Sequence, residues 1–377
     1  MSTFGVRVVP IEIGPHENAD KLECAKVGGY RAVVGKGLYK TGDLVAYIPE
    51  GALCPKPLIE ELGLGGKLAG PEFNRVKAVR LRGVLSQGIC YPAREGWKEG
   101  DDVTEILGVT KYEPPIPAGF SGAVYNATGR RLLRYDVENW KNFPDTFKDD
   151  EIIVITEKVH GTFAIFGLMP KSLQPQDESR LVVSSKGMAW KGLAFKMDAP
   201  ENEKNLYVRT AKALKLEERM DRVFWNLVGD EGNLPVFICG EIFGAGCQDL
   251  NYGANVGKNE TIGFRIFDIY VGEPGSGKFC NDATLTSYCR DLDIPRVPVL
   301  YRGPYSKEVI EEYTSGKETV SGKEAHMREG IVFRPIFERE DFAISPVSGS
   351  ALCCGGRVQL KSVSEEYLLR KGATEYV

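Results

Sequence analysis

Short apolar runs bounded by turn residues make up most of this chain, and their spacing changes along it. Over residues 1–110 the runs are brief and mostly β-branched, at 5–13, 21–27, 30–35, 43–47 and 75–81, with turn signals at Gly28-Gly29 and Thr41-Gly42-Asp43. Five short strands in that length predict a small all-β unit, an OB-like barrel being one candidate. Pro114-Pro115-Ile116-Pro117-Ala118-Gly119 follows and marks a connector, placed at residues 111–130. From 131 to 377 strands alternate with longer helical stretches, so an α+β domain is expected. The best helical pattern runs from 203 to 228, where Leu206, Val208, Leu214, Leu216, Val223, Phe224 and Leu227 recur among charged residues. It predicts a packing helix without chemistry.

The strands of the second region share one design, an apolar run with a polar residue at its end. Ile152-Ile153-Val154-Ile155 delivers Glu157 and Lys158, then turns through Val159-His160-Gly161-Thr162. Residues 180–187 carry Lys186, 236–241 end in Glu241, and 264–270 place Phe267 beside Asp268. Residues 329–334 begin with Glu329 and finish with Arg334, and 357–361 end in Lys361. A lysine is a poor nucleophile at neutral pH, because its ordinary pKa of about 10.4 keeps it protonated. Burial beside other cations can release it. Covalent nucleotidyl transfer explains the inventory: cations offset charge on a transferring phosphate, carboxylates hold ribose hydroxyls and a hydrated metal, and an aromatic face takes the base. The plain alternative for Lys158 is a surface lysine at a strand-to-loop junction.

Composition narrows the field. With 377 residues, 42% hydrophobic and 27% charged, the chain can hold two domains with separate cores. No apolar run approaches the roughly 20 residues of a membrane span, and the N-terminus lacks a signal-peptide core, so an intracellular, cytoplasmic protein without a membrane partner is expected. Nine cysteines without a CxxC pair suggest neither a disulfide framework nor structural zinc. Only His16, His160 and His326 are present, which argues against a histidine-rich metal cage or a hydrolase triad. The net charge of −4 means that a polyanion must meet a local basic patch. Arg75, Lys77, Arg80 and Arg82 form one candidate nucleic-acid contact, with a solvated strand face as the plain reading. One straight strand cannot present all four together, because the first two and last two differ in parity.

Taken in order, Lys158-Val159-His160-Gly161, Glu241, Phe267-Asp268-Ile269, Glu329-Gly330-Ile331-Val332 and the strand ending in Lys361 resemble motifs I, III, IIIa, IV and V of the covalent nucleotidyltransferases. The variant Glu-Lys-x-His-Gly-Thr is similar to ATP-dependent RNA ligases related to T4 RNA ligase 2. The resemblance covers roughly residues 130–377 and implies a nucleotidyltransferase domain, ATP-grasp-like, with mixed and antiparallel sheets. It further implies that Lys158 forms a lysyl-AMP adduct, Glu241 meets the ribose and Phe267 stacks on adenine. Glu329 would position Mg2+ or Mn2+, in part through water, and Arg334 and Lys361 would face the phosphates. His160 would serve later steps, Lys186 matches the motif Ia position, and Glu157 joins the nucleotide-binding set. One departure stands out: Gln359 occupies the place of the family's first motif V lysine, so either Arg357 or another cation compensates or the α-phosphate is held differently.

Domain order points to a subgroup. Sixteen residues follow Lys361, leaving no room for a C-terminal OB domain, and the β-rich unit lies at the N-terminus as in a group of RNA ligases. Asn18-Ala19-Asp20-Lys21-Leu22-Glu23 also looks like part of a tRNA-binding OB module. The expected protein is a monomeric RNA ligase using ATP and a divalent metal on RNA, with tRNA or an RNA–DNA hybrid open as substrates. Two competitors remain. Gly272-Glu273-Pro274-Gly275-Ser276-Gly277-Lys278 fits a P-loop up to its lysine but continues with Phe279, which lacks the metal-binding hydroxyl. A nucleic-acid-binding protein with an inactive transferase fold is the other.

Overall fold

The computed structural model describes residues 4–127, 132–173, 179–255, 258 and 261–371. The boundary expected at residues 130 and 131 therefore lies outside the described residues. In the N-terminal region, Arg7–Pro10, Leu44–Ile48 and Ile89–Pro92 form one antiparallel sheet, and Glu12–Pro15, Leu22–Val27 and Tyr30–Gly35 form a second. Val9, Ile11, Ala25, Val34, Val45 and Tyr47 meet between them, so alternate residues of both sheets close a small barrel.

Three expectations are corrected here. The run 5–13 is two strands, because Pro10 ends the first and the chain changes sheet at Ile11. Residues 75–81 are not one strand. Only Val79–Leu81 is extended into a hairpin with Val84–Ser86, while Arg75 bridges to Leu53 and Ala69. The four cations diverge accordingly: the Arg75 guanidinium lies 3.6 Å over the Tyr112 ring, and Arg80 reaches Glu365 at 2.6 Å. The limit at residue 110 falls inside the strand Thr110–Lys111, which pairs with Ala52–Leu53.

Two sheets build the second region. Seven strands run in the order Val124–Asn126, Leu193–Phe195, Leu181–Ser185, Thr162–Leu168, Val236–Phe243, Gly263–Val271, Lys278–Phe279. Five run in the order Glu138–Asn139, Leu360–Val363, Gly330–Pro335, Ile152–Lys158, Val299–Pro304. Consecutive strands Ile152–Lys158 and Thr162–Leu168 belong to different sheets, so the chain crosses between sheets at Val159-His160-Gly161. Glu329 precedes the strand that pairs with Ile152–Lys158, and Glu241 and Lys186 belong to the strands on either side of Thr162–Leu168 or follow them directly.

The expected helix 203–228 is three helices, Leu206–Ala213, Leu216–Val223 and Trp225–Val228. Lys215 takes a left-handed conformation, φ 49°, between the first two. The break lets Leu206, Val208 and Ala211 on one side, and Leu216 and Met220 on the other, press on the same core. The P-loop competitor also falls. After Gly272 (φ 106°) and Gly275 (φ 97°) the chain returns as Lys278–Phe279, antiparallel to Tyr270 and Val271, so a hairpin turn stands where a phosphate-binding helix is required.

The barrel docks on the second region through close backbone contact. Gly29 N donates to Lys141 O at 3.1 Å, and the Lys141 ammonium bonds Gln87 and lies 5.6 Å from the Tyr30 ring centroid. A Cβ on Gly29 would sit 2.6 Å from Lys141 Cα and 2.8 Å from Lys141 O. Gly29→Ala should therefore loosen docking at a cost of about 1–3 kcal/mol. Scanning calorimetry is expected to show the barrel melting earlier, as a separate transition; one unshifted transition would contradict this interface.

Candidate functional site

A cavity of about 350 Å³ opens where the two sheets meet, bordered by Lys158, Lys186, Glu241, Phe267 and Lys361. Lys158 ends its strand opposite Gly330, whose preceding residue is Glu329, so antiparallel register alone sets the lysine beside the acid. The ammonium bonds Glu329 Oε1. Gly161 makes the crossing possible. A Cβ there would lie 2.1 Å from Ile242 O and 3.0 Å from Glu241 Cγ, so the missing side chain lets the neighbouring strand come close and bring Glu241 in.

The electrostatics follow from this crowding. Burial disfavours the Lys158 ammonium, but Glu329 and Glu241 outweigh it and raise the lysine's pKa. Burial also works against the Glu329 carboxylate, yet Lys158 and His160 hold its pKa down at about 2. Glu241 goes the other way: burial, with Glu329 adding to it and Lys158 opposing, pushes its pKa up to about 8. Two acids around one amine thus divide into a permanent anion and a proton carrier. Lys361 is lowered by burial, with Lys186 and Lys158 adding, against the pull of Asp136. Asp136 itself is held well below the usual carboxylate range, because Lys186, 2.7 Å away, and Lys361 overcome its burial.

The remaining predicted residues are placed less uniformly. Phe267 packs at 5.3 Å from Phe163 and 5.4 Å from Tyr135, and borders the cavity. Glu157 also borders it. Its side chain, however, alternates away from Lys158, and Oε2 accepts from Thr319 N at 2.8 Å and Thr319 Oγ1 at 2.6 Å. The Glu157 carboxylate thus holds the Thr319 loop. Arg334 pairs in register with Val154, four residues or about 13 Å along the strand from the level of Lys158. Nη1 donates to Cys280 O at 3.1 Å and the guanidinium pairs with Glu338, so Arg334 borders the cavity but away from the lysine.

Gln359 is explained by its neighbours. Its Oε1 accepts from Tyr135 Oη at 2.8 Å and Arg357 Nη1 at 3.1 Å, and its Nε2 donates to Asp268 Oδ2 at 3.2 Å. The expected compensation by Arg357 is not found. That guanidinium forks onto Asp268 at 2.8 and 2.9 Å and bonds Glu338 at 2.7 and 2.8 Å, all within the floor of the site. The lysine that does stand beside Lys361 at the cavity is Lys186.

His160 lies behind the cavity wall. Nε2 is 2.8 Å from Asp249 Oδ1, Nδ1 is 2.8 Å from Tyr367 Oη, and Nδ1 stands 3.7 Å from Glu329 Oε2. Sequence patterning missed Tyr135, Asp136, Asp249 and Tyr367, all outside the apolar runs that drew attention. Among the described residues no group of three or more His, Cys, Asp and Glu side chains could hold a metal directly. The buried Oε2 of Glu329 has no hydrogen-bond partner, which fits a hydrated cation reached through water from Glu329.

Two sheets meeting at a cavity that a lysine borders, beside a docked barrel, define a nucleotide-transferring enzyme fold. Residues 151–348 match the family model of RNA ligases, and the chain belongs to that family. Residues 6–93 match the model of an OB-fold domain. The fold is also that of the RNA ligase of Naegleria gruberi. Its structure with PPi is 24% identical and superposes with a TM-score of 0.71 over 97% of each chain. A lysine-to-alanine mutant of that ligase with ATP and Mn is 22% identical, TM-score 0.71, over 96% of this chain and 98% of that one. An apo mutant is 24% identical, TM-score 0.72, over 97% and 98%. No curated protein sequence matches the chain. No helix among the described residues is long and apolar enough to cross a membrane.

Glu241 gives a pH test. Folded, it keeps its proton up to about pH 8; unfolded, it loses it near 4.5. Its contribution to stability is thus present below the unfolded value and lost as pH rises through 8, at about 1.4 kcal/mol per unit. The melting temperature of Glu241→Gln should gain on that of the parent between about pH 5 and pH 8 and level off above. A constant offset across that range would contradict the assignment.

Proposed function

We propose that the chain is an ATP- and divalent-metal-dependent RNA ligase that joins a 3′-hydroxyl to a 5′-phosphate through a lysyl-AMP intermediate. The observation that carries this reading is Lys158 at the cavity edge between Glu329 and Glu241, with Lys186 and Lys361 across from it. That the fold of a ligase whose structure is with ATP and Mn recurs here supports the choice of nucleotide and metal.

In the first step Lys158 Nζ, having lost a proton, attacks the α-phosphorus of ATP and pyrophosphate leaves. Lys186 and Lys361 face the charge that gathers on the phosphate oxygens. Phe267 and Phe163 offer the base an apolar wall, and Glu241 borders the ribose. A bound divalent cation supplies positive charge beside the amine and the phosphate, which favours the neutral lysine. In the second step an oxygen of the RNA 5′-phosphate attacks the phosphorus of lysyl-AMP; the P–N bond breaks and Lys158 leaves with a proton. In the third the 3′-hydroxyl attacks the activated 5′-phosphate and AMP departs.

RNA is the partner this reading requires. Arg82 lies at the exposed turn of the barrel hairpin, one residue from Leu81, while Arg80 is already paired with Glu365. Phosphate contacts from that side would weaken as salt rises. Gln359, in the place of a family lysine, is the departure that would favour the inactive-fold alternative. The bonded floor around that residue gives it a structural reason, so its presence no longer argues for lost activity.

Incubation with ATP labelled at the α-phosphate and Mg2+ or Mn2+ is expected to leave an acid-labile label on the protein that Lys158→Ala abolishes. Absence of any adduct with any nucleotide or either metal would overturn the reading.

A further inference from the structure

Both ring nitrogens of His160 are held, although the ring is not part of the cavity lining. The side chain is buried, 5% exposed. A carboxylate can only accept, so Asp249 fixes a proton on Nε2, and in the neutral ring the Nδ1 lone pair is left to accept the Tyr367 hydroxyl. Asp249 is in turn gripped by Arg370, Nε to Oδ2 at 3.0 Å and Nη2 to Oδ1 at 3.3 Å. The same guanidinium covers the Tyr367 ring at 3.6 Å from its centroid. Main chain is pinned as well, because His160 N donates to Tyr252 Oη at 2.8 Å. The ring can neither flip nor swing without breaking two hydrogen bonds.

The clamp comes from distant parts of the chain. Asp249 lies in the loop after Val236–Phe243, the strand that carries Glu241. Tyr367 sits on the short helix Glu365–Leu368, capped by Ser364 and entered directly from the strand that carries Lys361. Glu365 of that helix pairs with Arg80 of the barrel at 2.6 Å. What the clamp fixes is the Nδ1 edge of His160, 3.7 Å from the unpartnered Oε2 of Glu329.

We propose that Asp249 and Tyr367 are positioning residues, held by Arg370, that fix the tautomer and orientation of His160 beside Glu329 for the transfer of AMP to and from RNA. This rests on the ligase reading, and its test is separable from that of the reading. Tyr367→Phe and Asp249→Asn remove hydrogen bonds with little change of volume. Each is made in the parent and in a His160→Ala background, and joining of a pre-adenylylated RNA strand to a 3′-hydroxyl is timed under single-turnover conditions. Each should slow joining by about tenfold or more in the parent. On top of His160→Ala each should add less than about twofold, because the ring they position is gone. No slowing in the parent, or the same factor in both backgrounds, would overturn the proposal.

If the His160→Ala background is too slow to time, histidine 15N spectra decide. The chain has three histidines, so the signals are readily assigned. His160 should appear as the Nε2–H tautomer, and Tyr367→Phe should shift its Nδ1 signal while sparing those of His16 and His326. An Nδ1–H tautomer, or an unmoved signal, would overturn the clamp. Failure of the parent to take label from ATP would instead remove the ligase reading, and the spectra would still decide the clamp.

Discussion

Everything at this site is arranged around one buried ion pair, the Lys158 ammonium on the Glu329 carboxylate. Antiparallel pairing of Ile152–Lys158 with Gly330–Pro335 puts the two residues together, and low exposure of the acid makes the pair hard to dismantle. Removing either partner from such a site leaves an uncompensated charge, which costs several kcal/mol. The pair also decides the state of its neighbours. Burial keeps the proton on Glu241 near neutrality, with the ionised Glu329 adding to it and Lys158 opposing. The lysine is stored as an ammonium, and in the proposed reaction charge brought in with the substrates makes a nucleophile of it.

Away from the lysine the site rests on a neutral floor. Arg357 and Arg334 are balanced by Asp268 and Glu338, with Tyr135 and Gln359 filling the remaining hydrogen bonds. A lysine at position 359 would put a third cation into that balanced set and would leave Asp268 and Tyr135 to find other partners. Gln359 is thus the residue the floor needs. The other end keeps its cations in Lys158, Lys186 and Lys361, and Asp136 offsets the repulsion between the last two. Separation of a charged end from a neutral end gives the cavity its polarity.

Much of this was legible before any coordinates. Lys158, Lys186, Glu241, Phe267 and Lys361 border one cavity, with Glu329 bonded to the lysine, because each lies on or next to a strand and strand signals are strong in β-branched runs. Side-chain direction was less legible. Glu157 and Lys158 are neighbours whose faces differ by the period of two, and Arg334 shares a face with the site but is four residues along. The helix at 203–228 broke because an apolar count does not register a left-handed residue such as Lys215. Asp249 and Tyr367 could not be found from local pattern at all. They act across 89 and 207 residues of sequence separation from His160.

The central claim is that Glu329 keeps Lys158 protonated in the free protein. It is tested most directly by titrating isotope-labelled lysine by NMR, with the Lys158 signal assigned through Lys158→Arg. Lys158 should titrate above the ordinary lysine value of about 10.4 in the parent and at clearly lower pH in Glu329→Gln. The same midpoint in both proteins, or a depressed one in the parent, would contradict the account.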